Sequence, residues 1–262
     1  MRYGIYLILK SPQDKFYLDS FLVLDHSMSN WRIEAQKHAE DMFPSEVCGL
    51  VVVVKGRKRY KRCKNIAINT YDHFIIDPID YAEAEDSGTI VGIFHSHPYQ
   101  TPFPSSADLT ACENSKKVWY IYAVALGQWH EFEPTGYKAP LIGRHYAFGV
   151  HDCWTLVKDY YESVGIILRD WDRPTDPESF RINPYFDKCF KDTGFRELEP
   201  NEKLKNGDSL LFSINSQGLN HVGIFLLPQQ MVLHHIEGRL SSKDFYGEWL
   251  VKCTGKRLRY VK

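Results

Sequence analysis

Several signals that would narrow the class of this chain at once are missing. It carries no strong net charge: 32 basic residues against 33 acidic ones leave a formal value of −1. That excludes capture of nucleic acid or an anionic membrane by a global field. No apolar run approaches the ~18 residues of a membrane span, so no membrane span and no nucleic-acid partner are expected. The six cysteines, at 48, 63, 112, 153, 189 and 253, form no CxxC pair, and 262 residues are too many for a small disulfide scaffold. They read as reduced thiols, which points to folding in a cytoplasm. There is no internal repeat and no low-complexity segment. The opening MRYGIYLILKSPQDKF has a short apolar stretch without a small-residue cleavage site, so it does not read as a signal peptide. Residues 1–27 stand as an N-terminal extension, either a short hairpin or a stretch upstream of a start at Met28.

What is present is ordinary globular composition, with 44% hydrophobic and 25% charged residues, enough for one large domain or two of common size. Seven basic residues fall within Lys55–Lys64 (KGRKRYKRCK); a solvated hairpin or edge strand accounts for them better than a nucleic-acid patch. Near-helical spacing of Ile33, Ala35, His38, Ala39 and Met42 predicts a helix over 30–43, stopped by Pro44. Strands are predicted at 48–54, 58–64, 73–77 and 89–95. Asp77-Pro78 reads as an N-cap with proline at the first helical position, opening a helix to about residue 86. A helix at 106–115 and a hairpin of 118–126 with 128–134, turning at Gly127, follow. PTGYKAPLIGR then breaks the pattern with two prolines and two glycines. This reading divides the chain into a first domain at 28–134, a linker at 135–144 and a second domain at 145–262. In the second, Asp152 caps a helix that Gly165 ends. WDRPTDPESF reads as an insertion-like loop, Asn183-Pro184 as the start of another helix, and GDSLLFSI, NHVGIFLL, QMVLHHI and RLRYVK as strands. The fold class is α+β in two units.

HSHPYQTPFPSSAD, residues 95–108, holds the first chemistry. On extended chain, residues two apart point to one side, so His95 and His97 can aim at one point. Pro98 keeps the chain extended there. With Asp108 from the next helix, two imidazoles and a carboxylate make three ligands for Zn²⁺ and leave a fourth position for water, whose pKa the metal draws towards ~7. Glu46 is the candidate general base, and Ser105 a candidate donor to a developing oxyanion. Ser105-x-x-Asp108 also fits a plain helix-capping pattern. This motif, with PSEVCGL upstream, resembles the JAMM (MPN-plus) metalloproteases over residues 29–133. The resemblance implies a mixed sheet flanked by helices, Zn²⁺ on His95, His97 and Asp108, Glu46 as general acid/base, and cleavage of peptide or isopeptide bonds.

GVHDCWTLVKDYY puts Cys153 just inside a helix N-terminus, where free backbone N–H groups favour thiolate. His221 is the candidate base, with His234 or His235 on the neighbouring strand to orient it; periodicity does not choose between the two. The set, with HYAFGVHDCWTLV, GDSLLF, NHVGIF and MVLHH, resembles the NlpC-type cysteine peptidases over 144–262. That implies a compact papain-like fold, favours His234 as third member, and places Tyr146 beside the nucleophile. This chain departs from the pattern in two places: the stretch 168–205 is long, and Trp154-Thr155 stand where Ser-Gly is usual.

The two domains in succession resemble the tail-tip assembly protein K family of long-tailed bacteriophages. The resemblance implies a two-site peptidase, with tail-tip proteins and peptidoglycan stem peptides as partner and substrate. Its setting would be the host cytoplasm during assembly, with the virion tail tip as a further location. The other expectation is a structural assembly factor whose sites process tail proteins or are vestigial.

Overall fold

Buried along most of its length, CGLVVVV forms β1 (Cys48–Val54) at an inner position of a sheet, as a continuous apolar run should. It turns through Lys55-Gly56, both at positive φ (49° and 77°), the handedness that a two-residue hairpin needs. The basic stretch returns as edge strand β2 (Arg57–Cys63). Lys61 pairs with Glu83 at 2.6 Å and Arg62 with Asp41 at 3.3 Å, while its first three residues face solvent. The structure, a computed structural model, describes residues 29–171, 173–174, 179 and 185–261. The extension at 1–27, much of the insertion-like loop at 171–180 and the Asn183-Pro184 helix start lie outside the described residues.

The N-terminal sheet has the order β2-β1-β3-β4-β5, with β3 (Thr89–His97), β4 (Val118–Ala123) and β5 (Gln128–Phe132). Only β3 and β4 run parallel. The crossover that a parallel pair requires is the segment bearing α3 (Ser106–Ser115). Helices cover both faces. Trp31, Ala35 and Ala39 of α1 (Asn30–Met42) lie on Val51, Phe94, Tyr120 and Tyr122. On the other side, Ala84 of α2 (Pro78–Ser87) and Cys112 of α3 lie on Leu50, Val52, Ile93 and Trp119. This is the expected mixed sheet between helices. β3 runs two residues beyond the expected end and takes both histidines with it. The hairpin strand ends at Ala123 and passes through a 3₁₀ turn at Val124–Leu126.

The strand expected at 73–77 does not form; only Ile76 bridges to Asn65. Two backbone bonds remain, Ile66 N–H to the Ile75 carbonyl and Asp77 N–H to the Lys64 carbonyl, and the Asn65 side chain takes neighbouring groups. Its amide nitrogen donates to the carbonyls of Glu46 (3.0 Å) and His73 (2.9 Å). Its oxygen accepts from the N–H groups of Ala67 and Ile75, both at 3.0 Å. Four bonds saturate one side chain and leave those backbone groups with no call on a ladder.

The C-terminal sheet is antiparallel throughout its described pairings, in the order β10-β9-β8-β7-β11-β6. Its strands are β6 (Phe195–Glu197), β7 (Ser209–Phe212), β8 (His221–Leu226), β9 (Met231–His234), β10 (Ser242–Phe245) and β11 (Thr254–Tyr260). Helix α4 (Cys153–Ser163) lies on one face through Cys153, Leu156, Val157 and Tyr161, against Leu211, Val222, Ile224 and Leu233. Each aliphatic chain fully buried there contributes about 1.5–3 kcal/mol. Helix α5 (Tyr185–Cys189) adds Phe186 to the same core, and α6 (Glu248–Cys253) closes the opposite face with Leu250. The sequence reading has no counterpart for β6, β10 or α6. β10, SKDF, is a polar edge strand with no buried residue, so it gives no hydrophobic signal. All six cysteines are free.

The segment between the domains is held at both ends. Glu113 of α3 accepts from the N–H groups of Thr135 and Tyr137 at 2.6 and 2.8 Å. Buried Arg144 bonds to Asp159 of α4 and to the carbonyls of Pro140 and Ala139. Thr110 of α3 and His151 share a hydrogen bond of 2.9 Å.

Candidate metal and thiol sites

The alternation of β3 puts His95 and His97 on one side, with their Nε2 atoms 3.1 Å apart. Asp108 arrives from the first turn of α3, its oxygens 3.4 Å from His95 Nε2 and 3.8 Å from His97 Nε2. The capping box that opens α3 also aims this carboxylate. Ser105 N–H donates to Asp108 Oδ2 at 2.8 Å, and Ser105 Oγ accepts from the Asp108 N–H at 3.1 Å. Both readings of Ser-x-x-Asp thus share one geometry, and the Ser105 hydroxyl proton stays free to donate elsewhere. His97 Nδ1 lies 2.7 Å from the Thr101 carbonyl, which takes an Nδ1–H and leaves the lone pair on Nε2. His95 stacks on Phe74 with ring centroids 4.7 Å apart, and its Nδ1 has no hydrogen-bond partner.

The donor set fits a divalent cation. His95, His97 and Asp108 each offer a ligand atom, all within 4.8 Å of one another. Without a cation, a neutral His95 can donate its Nε2–H to the His97 Nε2 lone pair; a bound cation would take the place of that proton and use both lone pairs. Burial holds His95 down to about 4, with Asp108 opposing and His97 adding to that, so the ring is neutral near pH 7 and has a lone pair to give a cation. Two nitrogens and one carboxylate oxygen are a common zinc set.

Glu46 is buried on the loop before β1. Its N–H donates to Thr70 at 2.6 Å and its carbonyl accepts from Asn65. The next residue is tied to β3, with Val47 N–H donating to Ser96 Oγ at 3.0 Å. Burial first, then the charges of Asp108 and Asp72, raise its carboxyl to about 8.

In the second domain Asp152 caps α4. Its Oδ1 accepts from the Thr155 N–H at 2.9 Å, and Thr155 Oγ1 accepts from the Asp152 N–H at 2.8 Å. Its other oxygen takes Gly149 N–H and the Arg173 guanidinium. Cys153, the first helical residue, is buried among Val222 and Ile224 of β8. Here the structure differs from the sequence expectation of a thiolate. Burial first, then the Asp152 charge, push the thiol up to about 12 against the pull of the Val222 and Trp154 amides and Arg173. Desolvation outweighs the helix end.

His221 precedes Val222, and its Nε2 lies 3.2 Å from His234 Nδ1. His234 Nε2 lies 3.1 Å from Asp244 Oδ2 on β10. His235 points elsewhere, its ring 5.2 Å from that of Tyr146, because neighbouring residues on a strand face opposite ways. Burial first, then His234 and His235, hold His221 well below the usual imidazole range. Asp244 has no counterpart in the sequence reading. The only signal was Ser242 and Asp244 alternating on a polar segment near a histidine strand.

A family profile described as prokaryotic homologs of the JAB domain matches residues 29–135, and the NlpC/P60 family profile matches residues 143–258. The chain is therefore a two-domain α+β protein that joins a JAB-like domain to one of the NlpC/P60 type. It is 38% identical over 228 residues to "Tail tip assembly protein K" of Escherichia phage N15, covering 85% of this chain and 91% of that one. It is 34% identical over 171 residues to the protein of the same name from Escherichia phage lambda, covering 65% and 82%. The chain belongs to the tail tip assembly protein K family. A crystal structure of an NlpC/P60 family protein from Bacillus cereus ATCC 10987 overlaps it at a TM-score of 0.31 and 12% identity, over 86% of this chain and 67% of that chain. That overlap is too weak to add to the argument. Among the described residues, no helix is long and apolar enough to cross a membrane.

Proposed function

We propose that this chain is a two-site peptidase of a phage tail tip. The N-terminal domain would hydrolyse a peptide or isopeptide bond with Zn²⁺, and the C-terminal domain would cut peptidoglycan stem peptides with the Cys153 thiol. The observation that carries the reading is the convergence of His95, His97 and Asp108 within 4.8 Å, on the same loop-and-strand frame that holds Glu46 against β3. Zn²⁺ on those three residues would supply Lewis acidity towards a substrate carbonyl and towards water. The chain's own residues do the rest. Without a cation Glu46 holds its proton up to about pH 8; a cation on the three ligands would favour its carboxylate, which would then take a proton from the attacking water and return it to the leaving amine. The Ser105 hydroxyl would donate to the developing oxyanion.

In the second site the thiol starts neutral, and the His221 ring, itself neutral, would take the Cys153 proton as the sulfur attacks. The linker and Arg144 anchor the thiol helix to its domain. By chemistry alone this site accepts any amide that reaches it. The stem-peptide assignment rests on the NlpC/P60 family and on the tail-tip setting.

Metal analysis of purified protein after zinc incubation and desalting should give one zinc per chain, and a His95→Ala/His97→Ala double variant almost none. Equal zinc in both proteins, or none in wild type, would remove the metal site. The relatives' name also favours a second reading, an assembly role during tail building in the host cytoplasm with tail-tip proteins as partners. If Glu46→Gln and Cys153→Ala chains both still support tail assembly, neither catalytic site is what assembly needs.

A further inference from the structure

We infer that Asp244 is a positioning residue of the thiol site, one that sets which ring nitrogens of His234 and His221 carry protons. The inference rests on the reading of Cys153, His221 and His234 as a catalytic set. What it adds is a fourth group and a direction for the whole line.

Three groups stand in series: Asp244 Oδ2 at 3.1 Å from His234 Nε2, and His234 Nδ1 at 3.2 Å from His221 Nε2. A neutral imidazole has one N–H and one lone pair, so two rings that share a hydrogen bond can be arranged in two ways. In the first, His221 Nε2–H donates to His234 Nδ1. His234 then carries its proton on Nε2, facing the Asp244 carboxylate, and His221 keeps its lone pair on Nδ1, free to accept the thiol proton. In the second, His234 Nδ1–H donates to His221 Nε2. The His234 Nε2 lone pair then faces a carboxylate oxygen at 3.1 Å, which is repulsive, and His221 Nδ1 carries a proton and cannot act as base. An anion at the end of the line selects the first arrangement.

The frame keeps that anion in place. β10 pairs with β9 so that Ser242 lies opposite His234 and Asp244 opposite Val232. Ser242 and Asp244 therefore share a face, and Asp244 reaches His234 across the diagonal. Ser242 Oγ donates to Asp244 Oδ1 at 3.0 Å, and the Arg239 guanidinium lies 3.5 Å from Oδ2. Burial raises the Asp244 carboxyl, but the contacts with His234, Ser242 and Arg239 outweigh it and hold it below its ordinary value. The His234 side chain is 1% exposed, so water does not supply a substitute acceptor. The carboxylate stands off the N–H axis, since His234 Nε2 makes no in-line hydrogen bond. The other titratable groups that act on the two rings are Arg239 on His234 and His235 on His221.

The test uses full-length protein with ¹⁵N-labelled histidine, wild type and Asp244→Asn. NMR of the ring nitrogens at pH 7.5 reads the tautomers directly. Wild type should show His221 protonated on Nε2 and His234 on Nε2. In Asp244→Asn the pair should shift towards the opposite arrangement. On stem-peptide substrate, kcat should fall about 100-fold with KM within about threefold, and Asp244→Glu should recover part of kcat. A wild-type His221 protonated on Nδ1 would overturn the inference, whether or not the variant folds. So would unchanged tautomers together with kcat within twofold in Asp244→Asn. A wild type that leaves stem peptides uncut defeats the proposed substrate, while the tautomer readout still decides the role of Asp244.

Discussion

In zinc-free protein, Glu46→Gln should make the N-terminal domain more stable than wild type above pH 8, and in zinc-loaded protein it should remove the proposed metal-dependent hydrolysis. The sign follows from the raised pKa. In the unfolded chain Glu46 titrates near 4.5, and in the folded one near 8. Below pH 4.5 the carboxyl is neutral in both states and its folded environment is fully tolerated. Between 4.5 and 8 the unfolded chain ionises and the folded one does not, so stability is lost at about 1.4 kcal/mol per pH unit. Above 8 the loss levels off, on the order of 3–5 kcal/mol. Glutamine has the same shape and does not titrate, so the difference between the two proteins isolates this one group. Urea unfolding with EDTA from pH 5 to pH 9 should show matched midpoints at pH 5 and a growing advantage for the variant. Saturating Zn²⁺ should narrow that gap, because a nearby cation favours the carboxylate. A pH-independent difference would contradict the buried, proton-holding role of Glu46.

Gly223→Ala should destabilise the C-terminal domain by about 3 kcal/mol and leave zinc content unchanged. Gly223 sits in β8 opposite His234 on β9 and opposite Leu210 on β7. A Cβ there would meet Val232 Cγ1 at 2.6 Å, His234 Cβ at 3.0 Å and Leu233 O at 3.1 Å. Val232 is fully buried and β-branched, so it cannot rotate away. The methyl group has to push β9 from β8, which also lengthens the contact between His221 and His234. Loss of thiol activity should therefore accompany the fall in the unfolding midpoint. An unchanged midpoint would mean that the two strands are not packed as described.

The parts of this protein that could be read from sequence are those in which a local rule carries the chemistry. The His95/His97 pair needed only strand alternation. Asp108 and Asp152 fit capping patterns, and in both cases the cap fixes a candidate site residue: the carboxylate itself in one, the neighbouring thiol in the other. The choice between His234 and His235 is different in kind. It depends on the register of β9 against β8, which alternation alone does not set. The segment at 73–77 has strand composition, but the Asn65 side chain claims its His73 carbonyl and Ile75 N–H, a side-chain effect that composition does not show. The raised pKa of the Cys153 thiol has a similar origin. The helix end is local, whereas the packing of β8 that removes water from the sulfur is not. Asp244 escaped notice because a polar edge strand looks like a loop.

The central claim is that both sites cut amide bonds. It is tested most directly by mass spectrometry of fragments released from purified sacculi by wild type, by Cys153→Ala, and by wild type with a zinc chelator. The account predicts stem-peptide fragments from wild type and from chelated wild type, and none from Cys153→Ala. Any fragment that chelation alone removes belongs to the His95–His97–Asp108 site. Stem-peptide release that persists unchanged in Cys153→Ala would contradict the thiol assignment. No release from any sample would contradict the cell wall as substrate.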